Sequence, residues 1–291
     1  MRTLRYVLCD VFTDTPLMGN PLAVFTDARG LSSDAMQAIA REMNLSETTF
    51  VQTPTAGGHA KIRIFTPKHE IAFAGHPTLG SAFVLGGPLQ VEVVRVETGA
   101  GVIPVRLERE GATISFGWME QRVPTWREFE RERELLAALG LERAEHPVME
   151  ADNGVRHAFV VVDSEEAVRT VRPDFARLEA IADAGVSVCT FTNGGVKTRM
   201  FAPSHGVNED PATGSAAGPL AVHLARRGVV PFGEILEIRQ GEELARPSRL
   251  YARIQGSAEV VQQVEVGGAG VIVGRGELKI APSFIASSAD S

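Results

Sequence analysis

The feature that most constrains this chain is a short pattern that occurs twice. Residues 57–69 read Gly-Gly-His-Ala-Lys-Ile-Arg-Ile-Phe-Thr-Pro-Lys-His, and residues 194–205 read Gly-Gly-Val-Lys-Thr-Arg-Met-Phe-Ala-Pro-Ser-His. After one gap, Lys61, Arg63, Phe65, Pro67 and His69 recur as Lys197, Arg199, Phe201, Pro203 and His205, each 136 positions later. Each copy leads through a turn into small residues with helical character, Gly75-His76-Pro77-Thr78-Leu79-Gly80-Ser81-Ala82 in the first and Gly214-Ser215-Ala216-Ala217-Gly218-Pro219-Leu220 in the second. Solenoid repeats recur every 20–50 residues or so. A single repeat at this long interval implies instead two related domains facing one another across a pseudo-two-fold axis. The 291 residues are enough for two domains of the usual size.

Short alternating or apolar runs predict strands at Leu4–Phe12, Leu22–Thr26, Thr48–Gln52, Lys61–Phe65, Gln90–Val96, Val102–Leu107, Thr113–Trp118, Ala158–Val162 and Ser187–Phe191. Helices are fewer. Ser33 caps one over Asp34–Met43, where Met36, Ile39, Ala40 and Met43 make an apolar stripe. Others fit Arg127–Leu139, Asp174–Ala182 and Gly214–Arg227. The expected class is α+β, with two pseudo-symmetric domains, each a β-barrel-like sheet around a central helix. Residues 1–118 form the first and 119–291 the second, with the polar stretch Met119–Thr125 as linker. The apolar strands around Val264–Val273 belong to the second domain or cross back to the first.

Composition removes several functions. The net charge is −7 and no Lys/Arg cluster forms a phosphate-binding stripe, which argues against nucleic acid. Cys9 and Cys189 both sit in apolar stretches, and without a CxxC pair they offer neither a zinc knuckle nor a disulfide framework. No apolar run suits a signal peptide or a membrane span, so the expectation is a cytoplasmic protein. Gly267-Gly268-Ala269-Gly270 lacks the spacing of a dinucleotide fingerprint, no P-loop is present, and Ser215 lies outside a Gly-x-Ser-x-Gly elbow. His69, Glu70 and His76 match no established metal spacing, so no metal is expected.

What remains is the chemistry of two helix starts. The first N–H groups of a helix lack internal partners and carry the positive end of its dipole, so they bind anions. Gly75 and Gly214 let backbone approach a ligand closely. Pro77 stands where a missing N–H costs nothing. Two such helices meeting at a domain interface would clamp one carboxylate. Glu47 lies between the end of the first helix and an apolar strand, flanked by Leu45 and Phe50. There a semi-buried carboxylate has a raised pKa and can exchange protons near neutral pH. Asp210 either caps the second helix or receives a substrate ammonium or hydroxyl. His76, at the positive end of a dipole, is expected to be neutral and able to donate or relay a proton.

These residues carry a family resemblance. Arg41-Glu42-Met43-Asn44-Leu45-Ser46-Glu47, Arg63-Ile64-Phe65-Thr66-Pro67, Phe73-Ala74-Gly75-His76-Pro77 and Glu209-Asp210-Pro211-Ala212-Thr213-Gly214-Ser215-Ala216 resemble the PhzF family, as do Gly19-Asn20-Pro21-Leu22-Ala23-Val24 and Arg246-Pro247-Ser248. The resemblance runs nearly end to end. It implies the diaminopimelate-epimerase fold, with the active site between the two domains. It also implies isomerase activity on trans-2,3-dihydro-3-hydroxyanthranilate, the substrate of the family's namesake. Glu47 would take the C3 proton, with protonation at C1 giving an enol that becomes a ketone. Gly75, His76, Gly214 and Ser215 would line the carboxylate site, and Asp210 would sit beside the amino group. Homodimers and no cofactor are the family expectation.

Epimerases on this fold use paired cysteines at the two helix starts, where this chain has Gly75-His76 and Gly214-Ser215. Two-thiol racemisation is therefore disfavoured. Ala217 after Gly214-Ser215-Ala216 is similar to the phenazine-pathway enzymes, whereas His69 and Pro211 depart from the family pattern. The alternatives are an isomerase or epimerase acting on a different small carboxylate, or a non-catalytic small-molecule binder.

Overall fold

A computed structural model describes residues 1–192 and 195–281. Gly194, which opens the second copy of the repeat, lies outside the described residues. The chain divides into two compact units: unit 1 is Met1–Met119 with the segment from Ala269, and unit 2 is Glu120–Gly268.

Unit 1 contains β1 (Arg2–Val11), β2 (Asn20–Phe25), α1 (Ser33–Met43), β3 (Glu47–Gln52), β4 (Ala60–Phe65), β5 (Glu70–Ile71), α2 (Gly75–Leu89), β6 (Val93–Thr98) and β7 (Gly101–Glu110), with β8 (Thr113–Gln121) leading out of it. Unit 2 contains β9 (Thr125–Glu128), α3 (Glu132–Leu139), β10 (Met149–Asp152), β11 (Arg156–Val161), α4 (Glu165–Thr170), α5 (Phe175–Ile181), β12 (Gly185–Thr192), β13 (Gly195–Ala202), β14 (Val207–Asp210), α6 (Gly214–Arg226), β15 (Ile235–Gln240), β16 (Ser248–Gly256) and β17 (Val261–Gly268). The last strand, β18 (Gly270–Ile280), runs antiparallel to β1 from Arg2 opposite Ile280 to Val11 opposite Gly270. It therefore completes unit 1.

The duplication extends to strand pairing. In unit 1, β1 and β2 are antiparallel, β2 and β3 parallel, and β3 and β4 antiparallel. A short β5 then folds back on β4, β4 and β6 are parallel, and β6 and β7 antiparallel. Unit 2 repeats this sequence through β10, β11, β12, β13, β14, β15 and β16. A parallel connection needs a crossover, and in each unit the crossover from β4 to β6, or β13 to β15, carries the small-residue helix.

Helices α2 and α6 are buried almost all round, which is why they show no polar face. Their glycines make room for close strands. A Cβ at Gly80 would stand 2.7 Å from both Leu22 and Val11, and one at Gly218 would stand 2.2 Å from Gln121 and 2.7 Å from Val264. The amphipathic helices pack elsewhere. In unit 1, Met36 and Ile39 of α1 join Phe25, Phe50 and Phe65, where Phe25 stacks on Phe50 at 5.1 Å and Phe50 meets Phe65 edge-on at 5.5 Å. In unit 2, Leu135 and Leu139 of α3 and Leu178 of α5 cover Val160, Val188 and Phe201.

Several local expectations are corrected. Ser32, not Ser33, caps α1, accepting a hydrogen bond from Ala35 N at 3.2 Å. The helix expected over Arg127–Leu139 starts only at Glu132, because Thr125–Glu128 pairs with β10 and Arg127 bonds Glu150 at 2.9 Å. Gln90 ends α2 with φ +53 rather than opening a strand. Met119–Gln121 continue β8, so the irregular link is only residues 122–124.

Candidate active site

In unit 1, Asn44 ends α1 in the left-handed conformation (φ +50), its N–H bonded to Ala40 O at 3.1 Å. This turn delivers Glu47 as the first residue of β3, with its side chain mostly shielded (14% exposed). Glu47 Oε2 lies 3.5 Å from His76 Nδ1. Asn20, at the start of β2, places its side-chain amide nitrogen 3.1 Å from the same Nδ1. An amide NH2 can only donate, so His76 Nδ1 accepts and the ring proton sits on Nε2. Burial holds His76 neutral by pushing its pKa down to about 3. The carboxyl of Glu47 therefore faces a neutral imidazole and not a fixed cation. His76 Nε2 is buried and has no hydrogen-bond partner among the described residues, which leaves an N–H available to a ligand.

In unit 2, Asp210 closes β14 and is buried. Its Oδ2 accepts the Thr213 hydroxyl at 2.7 Å, while Gln240 spans the turn by accepting Thr213 N at 3.1 Å and donating to Asp210 O at 2.8 Å. The N-cap residue of α6, Thr213, makes no side-chain cap bond of its own.

Gly75 and His76 are the first two residues of α2, and Gly214 and Ser215 the first two of α6. Pro77 is thus third in its helix and not first, so its missing N–H limits the free donors of α2 to Gly75 and His76. Neither helix has a side-chain cap or an acidic residue in its first turn. Ser164 and Asp174 cap α4 and α5, and the uncapped α3 carries Glu132 and Glu134 in its first turn. Among the described residues, the duplicated helices alone combine a glycine start with no acidic residue in the first turn, which suits them to an external anion.

Ser215 has a support that the sequence did not reveal. His157, buried on β11, places Nε2 3.0 Å from Ser215 Oγ. Asn153 donates to Ser215 O at 2.9 Å and Gln121 to Gly214 O at 2.8 Å. Asn20 and His157 went unrecognised as support residues because each is joined to its helix start only by folding. The usable signals were the family motif that contains Asn20 and the place of both residues on the strand two before each repeat copy.

Cys9 and Cys189 are buried, and burial pushes both thiols up to about 12, so neither supplies a thiolate near neutral pH. Among the described residues, no group of three His, Cys, Asp or Glu stands close enough to hold a metal ion.

The family model for "phenazine biosynthesis-like protein" matches residues 9–276. The chain belongs to the PhzF family. It is 48% identical to a trans-2,3-dihydro-3-hydroxyanthranilate isomerase of Pseudomonas aeruginosa over 94% of this chain and 98% of that one. A crystal structure of a PhzF-family phenazine biosynthesis protein from Bacillus anthracis matches with a TM-score of 0.85 at 25% identity, covering 96% of this chain and all of that one. A hydroxyproline epimerase from Agrobacterium vitis matches with a TM-score of 0.69 at 14% identity over 97% and 94% of the two chains, a likeness of fold alone. This PhzF-family chain has the α+β epimerase-like fold. No helix among its described residues is long and apolar enough to cross a membrane.

Proposed function

We propose that this chain isomerises trans-2,3-dihydro-3-hydroxyanthranilate, with Glu47 as the proton carrier. Glu47 takes the proton from C3, the electron pair moves into the ring's conjugated double bonds, and C1 receives a proton. The resulting enol then becomes the ketone. The scheme is redox-neutral and is proposed to need no cofactor. Gly75, His76, Gly214 and Ser215 hold the carboxylate, and Asp210 faces the amino group. The observation that carries this reading is Glu47 beside a neutral, buried His76 at an uncapped helix start, in a chain 48% identical to an enzyme named for that reaction. Positioned general acid–base groups typically contribute about 10²–10⁴-fold to rate.

A homodimer in the cytoplasm is part of the proposal, and light scattering on the purified protein tests the dimer. The departures at His69 and Pro211 favour including other cyclic amino and hydroxy acids in the assay. The test is the absorbance change on mixing the enzyme with trans-2,3-dihydro-3-hydroxyanthranilate. Rapid conversion supports the reading. A folded protein that converts another small carboxylate and not this one replaces the substrate. Tight binding with no conversion of any acid makes the chain a binder.

A further inference from the structure

The start of α6 is held by three side chains that all lie within unit 2. Gln121 and Asn153 donate to the carbonyls of Gly214 and Ser215. The third, His157, touches the Ser215 hydroxyl itself at 3.0 Å. A hydroxyl can accept and donate, so what it offers a ligand depends on which role its neighbour takes.

The surroundings of the imidazole decide that role. His157 lies opposite Gly185 in the parallel pairing of β11 and β12. A Cβ built at Gly185 would stand 2.8 Å from His157 Nδ1 and 3.3 Å from its Cε1, so the Nδ1 edge occupies the space that a side chain at Gly185 would take. Nδ1 is buried and has no hydrogen-bond partner among the described residues. A proton there would be a buried donor with nothing to donate to, which is costlier and rarer than a bare acceptor. Burial, helped by the nearby His205, keeps the ring neutral by lowering its pKa to about 3, so it carries only one proton. That proton belongs on Nε2, pointing at Ser215 Oγ.

We propose that His157 is a positioning residue for the carboxylate site: its Nε2–H occupies the acceptor side of Ser215 Oγ and commits the Ser215 hydroxyl to donate to the substrate carboxylate. The helix start then presents donors only, namely the N–H groups of Gly214 and Ser215 and the Ser215 O–H. It accepts an anion and rejects an uncharged amide of the same shape. This inference rests on the proposed role of Ser215 in carboxylate binding, but its test does not require turnover.

Nitrogen-15 NMR of the uniformly labelled full-length protein reads the His157 tautomer directly, assigned by loss of its signals in His157→Gln. The expected pattern is a neutral ring protonated at Nε2, and a ring protonated at Nδ1 overturns the proposal. Binding of anthranilate and of anthranilamide, both unreactive, is then measured by calorimetry for the wild type, Ser215→Ala, His157→Leu, His157→Gln and the double variant Ser215→Ala/His157→Leu. Ser215→Ala and His157→Leu should each weaken anthranilate roughly ten-fold, as expected for one hydrogen bond to a charged group, and leave anthranilamide nearly unchanged. The double variant should lose no more than either single one, because both remove the same interaction. His157→Gln, whose amide can donate from about the position of Nε2, should bind anthranilate within about three-fold of wild type, half a power of ten being a small fraction of one such bond. Equal losses for anthranilate and anthranilamide, or additive losses in the double variant, would show a merely structural histidine. If the protein fails to isomerise dihydro-hydroxyanthranilate yet shows the coupled loss of anthranilate binding, the function falls and the role of His157 stands. Turnover with no coupling gives the reverse.

Discussion

Unit 1 and unit 2 share a strand order, a central helix and a matched cation cluster, yet they differ where the chemistry sits. The shared cluster is close to superimposable in kind. Arg63 lies over Phe65 at 5.1 Å and pairs with Glu70, while Arg199 lies over Phe201 at 5.0 Å and pairs with Glu209. Register matches the remaining positions. Thr48 faces Phe65 and Val186 faces Phe201, which makes Glu47 and Gly185 counterparts. Ile64 faces Ile71 and Met200 faces Asp210, which makes Ile71 and Asp210 counterparts. Leu22 opposite Glu47 corresponds to His157 opposite Gly185. At the second helix residue, His76 answers to Ser215. Unit 1 thus has the proposed proton carrier, Glu47, where unit 2 has a glycine, and the space left by that glycine is filled by the imidazole beside Ser215. Duplication supplied two uncapped helices that start at glycine, and divergence set Glu47 beside one and the buried Asp210 beside the turn before the other.

The largest expected effect tests that division of labour. Glu47→Gln keeps shape and hydrogen bonding and removes the exchangeable carboxyl proton, so kcat should fall about 10²–10⁴-fold while substrate affinity stays within several-fold. Residual turnover near the wild-type rate would move the proton carrier elsewhere. The two arginine clusters should differ next. Arg199 is nearly buried and also donates to the carbonyls of Val168, Arg169 and Val171, whereas Arg63 is more exposed. Arg199→Met should cost about 3–5 kcal/mol of stability by leaving Glu209 unpaired, and Arg63→Met about 0–1 kcal/mol. Urea unfolding of both variants measures the gap, and equal losses would break the comparison.

Acid pH should weaken both units. His76 and His157 titrate near 3 when folded and near 6.5 when unfolded, so between those values only the unfolded chain binds the protons. Their contribution is fully present above pH 6.5 and is lost as pH falls toward 3, on the order of 2 kcal/mol per histidine at pH 5. His157→Gln should flatten that slope between pH 7 and pH 5 in urea titrations, and an unchanged slope would show that His157 is already charged. The last test concerns the glycine counterpart of Glu47. In Gly185→Ala the new methyl group would stand 2.8 Å from the His157 ring, costing about 1–3 kcal/mol. It should also weaken anthranilate binding, and a neutral outcome in both assays would show that the ring is not packed against that backbone.

Much of this was legible in the sequence because the repeat is local. Lys61 through His69 recur with the same spacing, and the glycine starts of α2 and α6 follow each copy. Glu47 was expected between the end of α1 and a strand starting at Thr48, and it is the first residue of that strand. Long-range partners were not legible. His157 and Ser215 lie 58 residues apart, and nothing in the sequence near His157 marks it as different from an ordinary core histidine. Arg127 and Glu128 read as the start of a helix because their charges suit a helix surface, and pairing with β10 overrides that preference. The return of β18 to β1 was equally open, since an apolar strand carries no mark of which sheet it joins.

The central claim is that Glu47 moves the proton. The most direct test is to incubate wild type and Glu47→Gln with trans-2,3-dihydro-3-hydroxyanthranilate in D₂O and follow the ring protons by NMR. The account predicts conversion by the wild type, with the C3 proton signal disappearing, and no conversion by the variant although it still binds. Conversion by Glu47→Gln at the wild-type rate would contradict it.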